Sequence, residues 1–198
     1  MSKLKDEIIT GIDLAGKEEN PTGFAIWKQG TVETCLIYTD KEILDKILHV
    51  KPVIVAIDAP LKLPKKGALR KADKELIQKG YRVFPPGLSA MKALTLRAER
   101  LNKLIMEKGL KTIEVHPTST RKALSIPTKD WNIIQEIFKR IGLKGSIKMR
   151  TLTSHELDAV TAALTAYLHI QGQTETVGDQ DDGFIVIPKK RCWWEIKL

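Results

Sequence analysis

Cysteine is scarce: Cys35 and Cys192 are the only two in 198 residues, far apart and in no CxxC pair. That excludes a disulfide framework and a Cys-rich structural zinc site. Both thiols are expected to be reduced, as in a cytoplasmic protein. No apolar run is long enough to span a bilayer, so no membrane partner is expected. Residues Met1 to Glu7 are charged, and no apolar signal region follows them. Internal repeats and low-complexity tracts are also missing. What remains is ordinary globular composition, 42% hydrophobic and 29% charged, of a length that suits one domain over 1–198.

Charge is present but unevenly spread. The net charge is +9, and residues 61–110 alone hold 13 Lys+Arg against 4 Asp+Glu, which is the whole excess. A basic segment of this kind suits a polyanionic partner such as nucleic acid. A solvated, Lys-rich helical face explains the same composition equally well.

Two apolar runs of strand length each end in Ile-Asp: Ile8 to Asp13, followed by Leu14-Ala15-Gly16, and Val53 to Asp58, followed by Ala59-Pro60. Each reads as a buried strand with a carboxylate at its carboxyl end, where open α/β sheets place their ligands. Thr22–Lys28 and Thr31–Tyr38, joined at Gln29-Gly30, complete an antiparallel meander with the first strand. Residues 41–49 form a short helix before the fourth strand. Residues 61–110 are expected as a basic helical insertion with helices near 65–79 and 90–108, broken by the rigid Phe84-Pro85-Pro86-Gly87. A fifth strand runs to Val115 and is cut by His116-Pro117. Helices follow near 118–124, 131–141 and 154–170. The last is apolar nearly all round and therefore buried. Residues 171–183 read as an acidic loop and 184–188 as a final strand, a C-terminal extension over 171–198.

His155 and Asp158 are three apart on that buried helix and share a face. A carboxylate on an apolar helix needs a partner. A divalent ion shared with Asp13 and Asp58 would serve, and three carboxylates without a thiol select Mg²⁺ or Mn²⁺. Such sites run phosphoryl transfer. Glu114, at the end of the fifth strand, either joins this group or pairs with Arg121 or Arg70; membership is favoured. Arg70, Arg82, Lys92 and Arg97 are the candidates for phosphate contact. His116 is read as structural; Trp131, Trp193 and Trp194 could stack on bases, but core packing or an exposed interface is favoured for all three.

These motifs carry a resemblance. The meander with Gly-Ile-Asp, the strand ending in an acid and the late His-x-x-Asp-Ala helix resemble the RNase H-like fold and, within it, RuvC-type Holliday-junction resolvases. The segments Gly80 to Gly87, Ile113 to Thr118 and Ser154 to Ala163 make the chain similar to the domain-of-unknown-function 429 family, predicted RNase H-like nucleases. The resemblance implies a mixed five-stranded sheet with helices on both faces and the helical insertion between strands four and five. It implies a metal-dependent nuclease acting on DNA or RNA through Asp13, Asp58 and Asp158 as metal ligands, assisted by Glu114 and His155. A homodimer is implied by the resolvases. Asp58 stands where RuvC-type enzymes carry Glu, and the basic insertion is foreign to them. The alternatives are a non-catalytic nucleic-acid-binding module and an actin-like ATP-dependent phosphotransferase. Gly11 and Gly16 are the only glycines near Asp13, too few for the phosphate loop that the latter needs.

Overall fold

The computed structural model describes residues 7–198. The reading of a charged N-terminus without a signal region falls on residues 1–6, outside the described residues. Strands β1 (Ile8–Asp13), β2 (Thr22–Lys28) and β3 (Thr31–Ile37) form the antiparallel meander. Gln29 and Gly30, at φ 51° and 74°, make the left-handed turn that a two-residue hairpin requires. Helix α1 (Asp40–Val50) starts from a Thr39 cap, whose hydroxyl accepts from the Glu42 N–H while Glu42 reaches back. It returns the chain to β4 (Ile54–Asp58), which runs parallel to β1.

The segment between β4 and β5 (Thr112–Val115) holds α2 (Lys71–Gln78) and α3 (Ser89–Glu107). After β5 come α4 (Pro117–Ala123), α5 (Trp131–Ile141), the two-residue β6 (Lys144–Gly145), α6 (Ser146–Met149) and α7 (Ser154–Ile170). A hairpin of β7 (Thr174–Asp179) and β8 (Gly183–Pro188) closes the sheet, and Trp193–Glu195 is a short 3-10 turn. The sheet has eight strands in the order β6-β3-β2-β1-β4-β5-β8-β7, not five. The acidic loop expected at 171–183 is largely β7. In this edge strand only Val177 is buried, so its sequence lacks the apolar signature of a central strand.

Strand alternation sorts the core into two layers. Ile12, Phe24, Val55 and Ile57 face α1 and α3, meeting Ile43, Ile47, Ala98, Leu101 and Ile105. Ile9, Ala25, Trp27 and Ala56 face the other way, onto Ala159, Val160, Ala163 and Leu164 of α7 and onto α5. Thr153 caps α7, with Glu156 completing the capping box. Glu156 is buried and also accepts from Thr34 of β3 and from Arg150, so the start of α7 is tied to the meander.

Two glycines allow α7 to lie directly on the strands. A Cβ on Gly11 would stand 2.1 Å from the Ala159 carbonyl oxygen, and one on Gly23 would stand 2.0 Å from the His155 carbonyl oxygen. Both obstacles are backbone, so neither can swing aside. Gly11→Ala and Gly23→Ala are each expected to lower the unfolding free energy by about 3 kcal/mol, read as a shifted urea midpoint. A wild-type midpoint for both would contradict this close approach.

Candidate active site

Asp13 and Asp58 are register partners at the carboxyl ends of the parallel pair β1–β4. They share the face of Ile9 and Ala56, which is the face that α7 covers. The N-terminal turns of α7 therefore arrive above them. His155 Nδ1 lies 2.7 Å from Asp13 Oδ2, and donating this hydrogen bond to Asp13 raises the His155 pKa. Asp158 comes down one turn further along α7. Its Oδ1 accepts from Arg121 Nη1 of α4, and that side chain is 2% exposed. Arg121 also reaches Thr161 Oγ1 at 3.3 Å and stacks over the Trp131 ring at 5.2 Å, while its Nε is buried without a partner.

Asp58 is the group left over. Among the described residues no hydrogen-bond donor reaches its carboxylate. Burial pushes its pKa well up, and Asp13 and Asp158 push it further, against the pull of Arg121. Asp158 is likewise raised by burial, with Arg121 opposing. The edge thus carries more negative charge than its neighbours neutralise.

The remaining expected site residues divide. Glu114 pairs in register with Ile57, so it points to the face opposite Asp58. It accepts from Arg70 Nη1 at 2.8 Å and Nη2 at 2.5 Å, and from the Leu61 N–H at 2.8 Å. It lines the same cavity as Asp13 and Asp58, and its charge helps to raise the Asp58 pKa, but its carboxylate is engaged by Arg70. Arg70 also binds Asp73 and is 1% exposed. Burial works against its charge, but Glu114 and Asp73 more than compensate. Arg97 is 2% exposed and donates to Asp40 at 2.8 Å and to the carbonyls of Ala15 at 2.8 Å and Tyr38 at 2.6 Å. Neither Arg70 nor Arg97 is available to a phosphate. Both are internal ties, and Arg97 fixes the chain just after Asp13. Arg82 and Lys92 are exposed.

Two residues that matter here carried no such reading in the sequence. Arg121 was visible only as a possible partner of Glu114. His116, taken as structural, caps α4 and lines the cavity that Asp13, Asp58, Arg70 and Glu114 also line. Its Nδ1 is 2.7 Å from Ser119 Oγ, and burial with Arg121 holds its pKa down at about 4.

Among the described residues no three His, Cys, Asp or Glu side chains stand at ion-ligating spacing. The donor chemistry nevertheless suits a hard divalent cation: three carboxylates without a thiol, one of them unpartnered and crowded by like charge. Asp58 and the oxygens of Asp13 and Asp158 not engaged by His155 and Arg121 are the donors left.

A buried, repelled carboxylate costs stability when ionised. Because the folded pKa of Asp58 lies above its unfolded value, the cost is nil below about pH 4 and grows as pH rises. In a chelating buffer Asp58→Asn is expected to be more stable than wild type by on the order of 1 kcal/mol at pH 7. The two should converge towards pH 4. A less stable variant at pH 7 would contradict the charge imbalance.

The chain matches the family described as "Protein of unknown function (DUF429)" over residues 11–116, a span from β1 through His116 that takes in Asp13 and Asp58. No curated protein matches it. Among solved structures it is similar to Thermus thermophilus RuvC in complex with Holliday junction substrate. The TM-score is 0.51 at 17% identity, over 84% of this chain and 96% of that one. A second Thermus thermophilus RuvC structure gives 0.46 at 17% identity, over 83% and 96%. At this identity the first likeness establishes the RuvC-like, RNase H-like fold. By the family match, this chain belongs to the domain-of-unknown-function 429 family.

Proposed function

We propose that the protein is a metal-dependent nuclease and that the Asp13–Asp58 edge hydrolyses a phosphodiester bond of nucleic acid. The observation that carries this reading is the in-register aspartate pair, under-neutralised and placed beneath Asp158 of α7. The RuvC-like fold supports it, since the similar solved structure holds a Holliday junction substrate. Mg²⁺ or Mn²⁺ would be held by Asp13, Asp58 and the outer oxygen of Asp158. It would supply positive charge to a phosphoryl oxygen and to an attacking water.

The chain's own groups have separate tasks. Asp58, unpartnered, gives the edge its negative charge. His155 donates Nδ1–H to Asp13 and is 46% exposed, which leaves Nε2 to accept the proton lost by an attacking water. As that oxygen bonds to phosphorus, the ester P–O bond breaks and the leaving oxygen takes a proton from solvent. Arg121 orients Asp158 from the interior. The basic excess of 61–110, with Arg82 and Lys92 at the surface, holds the polyanion by charge.

Asp13→Asn is expected to reduce Mn²⁺-dependent cleavage of labelled single-stranded, duplex and branched substrates by at least about a hundredfold. Its circular dichroism should match wild type, and a chelator should abolish wild-type cleavage. Full activity of the variant would overturn the reading. One observation favours a second reading: Arg121 and His155 already engage two of the three aspartates. A non-catalytic module with this edge would bind nucleic acid in a salt-sensitive manner and show no turnover with either metal.

A further inference from the structure

An exposed aromatic ring stands at the rim of the cavity beside the aspartates. Phe84 is 76% exposed and lines a cavity of about 290 Å³ together with Asp13, Asp58 and His116. Its loop is stiff. Pro85 and Pro86 follow the ring, and the Gly87 N–H donates to the Ala68 carbonyl at 3.0 Å. A Cβ at Gly87 would meet Ala68 Cα at 2.8 Å and the Gly67 oxygen at 2.9 Å, so the loop is seated on the 67–68 backbone. The fold therefore holds a large apolar ring in water and prevents it from collapsing inward.

The cavity behind the ring is apolar on its walls and polar at its base. Leu14, Pro60, Val83, Met91 and Leu94 form the walls. Of the polar groups within it, Asp58 belongs to the neighbouring carboxylate edge, and His116 is a neutral one outside any ion pair. Its Nδ1 is engaged by Ser119, and among the described residues no partner reaches Nε2. Because the ring stays neutral near pH 7, it offers a single hydrogen bond and no charge. The volume is at the small end of ligand sites, about 300 Å³. It suits one planar ring system and cannot admit a base pair. Arg82 and Lys92, both exposed, flank the rim in sequence and supply positive charge for a backbone.

We propose that this cavity is a subsite for one unpaired nucleobase, stacked on Phe84 and met at its edge by His116, so that the substrate is single-stranded or locally unpaired nucleic acid. The proposal rests on the reading of the neighbouring edge as a phosphodiester site, because it places the base beside the bond to be cut. Aromatic stacking of this kind tolerates any base, since every base offers a π face. The discrimination is therefore between paired and unpaired strands rather than between sequences.

The test is fluorescence anisotropy with the full chain in a chelating buffer, where no cleavage interferes. The probes are a labelled oligothymidylate, an oligouridylate, a duplex and an abasic strand of equal length. Wild type should bind the two single strands about tenfold or more tighter than the abasic strand. Phe84→Ala should lose that margin on the base-bearing strands and leave abasic binding unchanged. Phe84→Trp should restore it. Phe84 packs on little, so both variants should melt at the wild-type temperature. Equal binding of the base-bearing and abasic strands by wild type, or an equal loss on all probes in Phe84→Ala, would overturn the proposal. So would the absence of single-strand binding, or binding of free thymidine monophosphate in place of strands. Phe84-dependent binding without metal-dependent cleavage would sink the nuclease reading and leave this subsite standing. Cleavage indifferent to Phe84 would do the reverse.

Discussion

Helix α7 touches the backbone of β1 and β2, and the geometry of the candidate site follows from that contact. Gly11 and Gly23 have no side chain to interpose; Ala159 and Ala163 face Gly11, and the backbone of His155 and Glu156 faces Gly23. Helix and sheet therefore approach until backbone meets backbone. Dispersion across such a seam is large because both surfaces are continuous. The functional consequence lies at its end: with the helix this low, His155 reaches Asp13 and Asp158 enters the field of Asp58. A seam one methyl group higher would separate the two sets of carboxylates.

Charge is distributed against the grain of the composition. A chain with net charge +9 concentrates acids at one sheet edge and gives each a different fate. Glu114 and Asp73 share Arg70 below the sheet. Asp158 is held by Arg121 above it. Asp58 has no such partner. Native folds carry unrelieved repulsion of this kind where function requires it and compensate elsewhere in the core. The cation supplied by Arg121 is fixed in place by Thr161 and Trp131. It steadies one acid without quenching the group.

Much of the fold was legible because its signals are local. The Ile-Asp strand ends, the Gln29-Gly30 turn and the apolar span of α7 each express a short-range rule. So does the His155–Asp158 spacing. Of the long-range ion pairs, Arg70–Glu114 was open only as an alternative, and Arg121–Asp158 was not legible. Arg97 was a candidate for phosphate contact, yet it lies three residues after Leu94 and four before Leu101, on the buried stripe. Its spacing held the answer, but an arginine inside a core becomes credible only when carbonyls at Ala15 and Tyr38 are there to receive it. Arg70 and Glu114 are 44 residues apart, and Arg121 and Asp158 are 37 apart. No local pattern links either pair. Strand β7 escaped because an edge strand with one buried residue has the composition of a loop.

The proposed chemistry requires a cation among three aspartates, and crystals soaked in Mn²⁺ with anomalous diffraction test this most directly. The expected result is a peak contacting Asp13 and Asp58, with Asp158 turned to share it while Arg121 keeps its other oxygen. An empty edge at millimolar Mn²⁺, with His155 and Arg121 still in place on their aspartates, would contradict it.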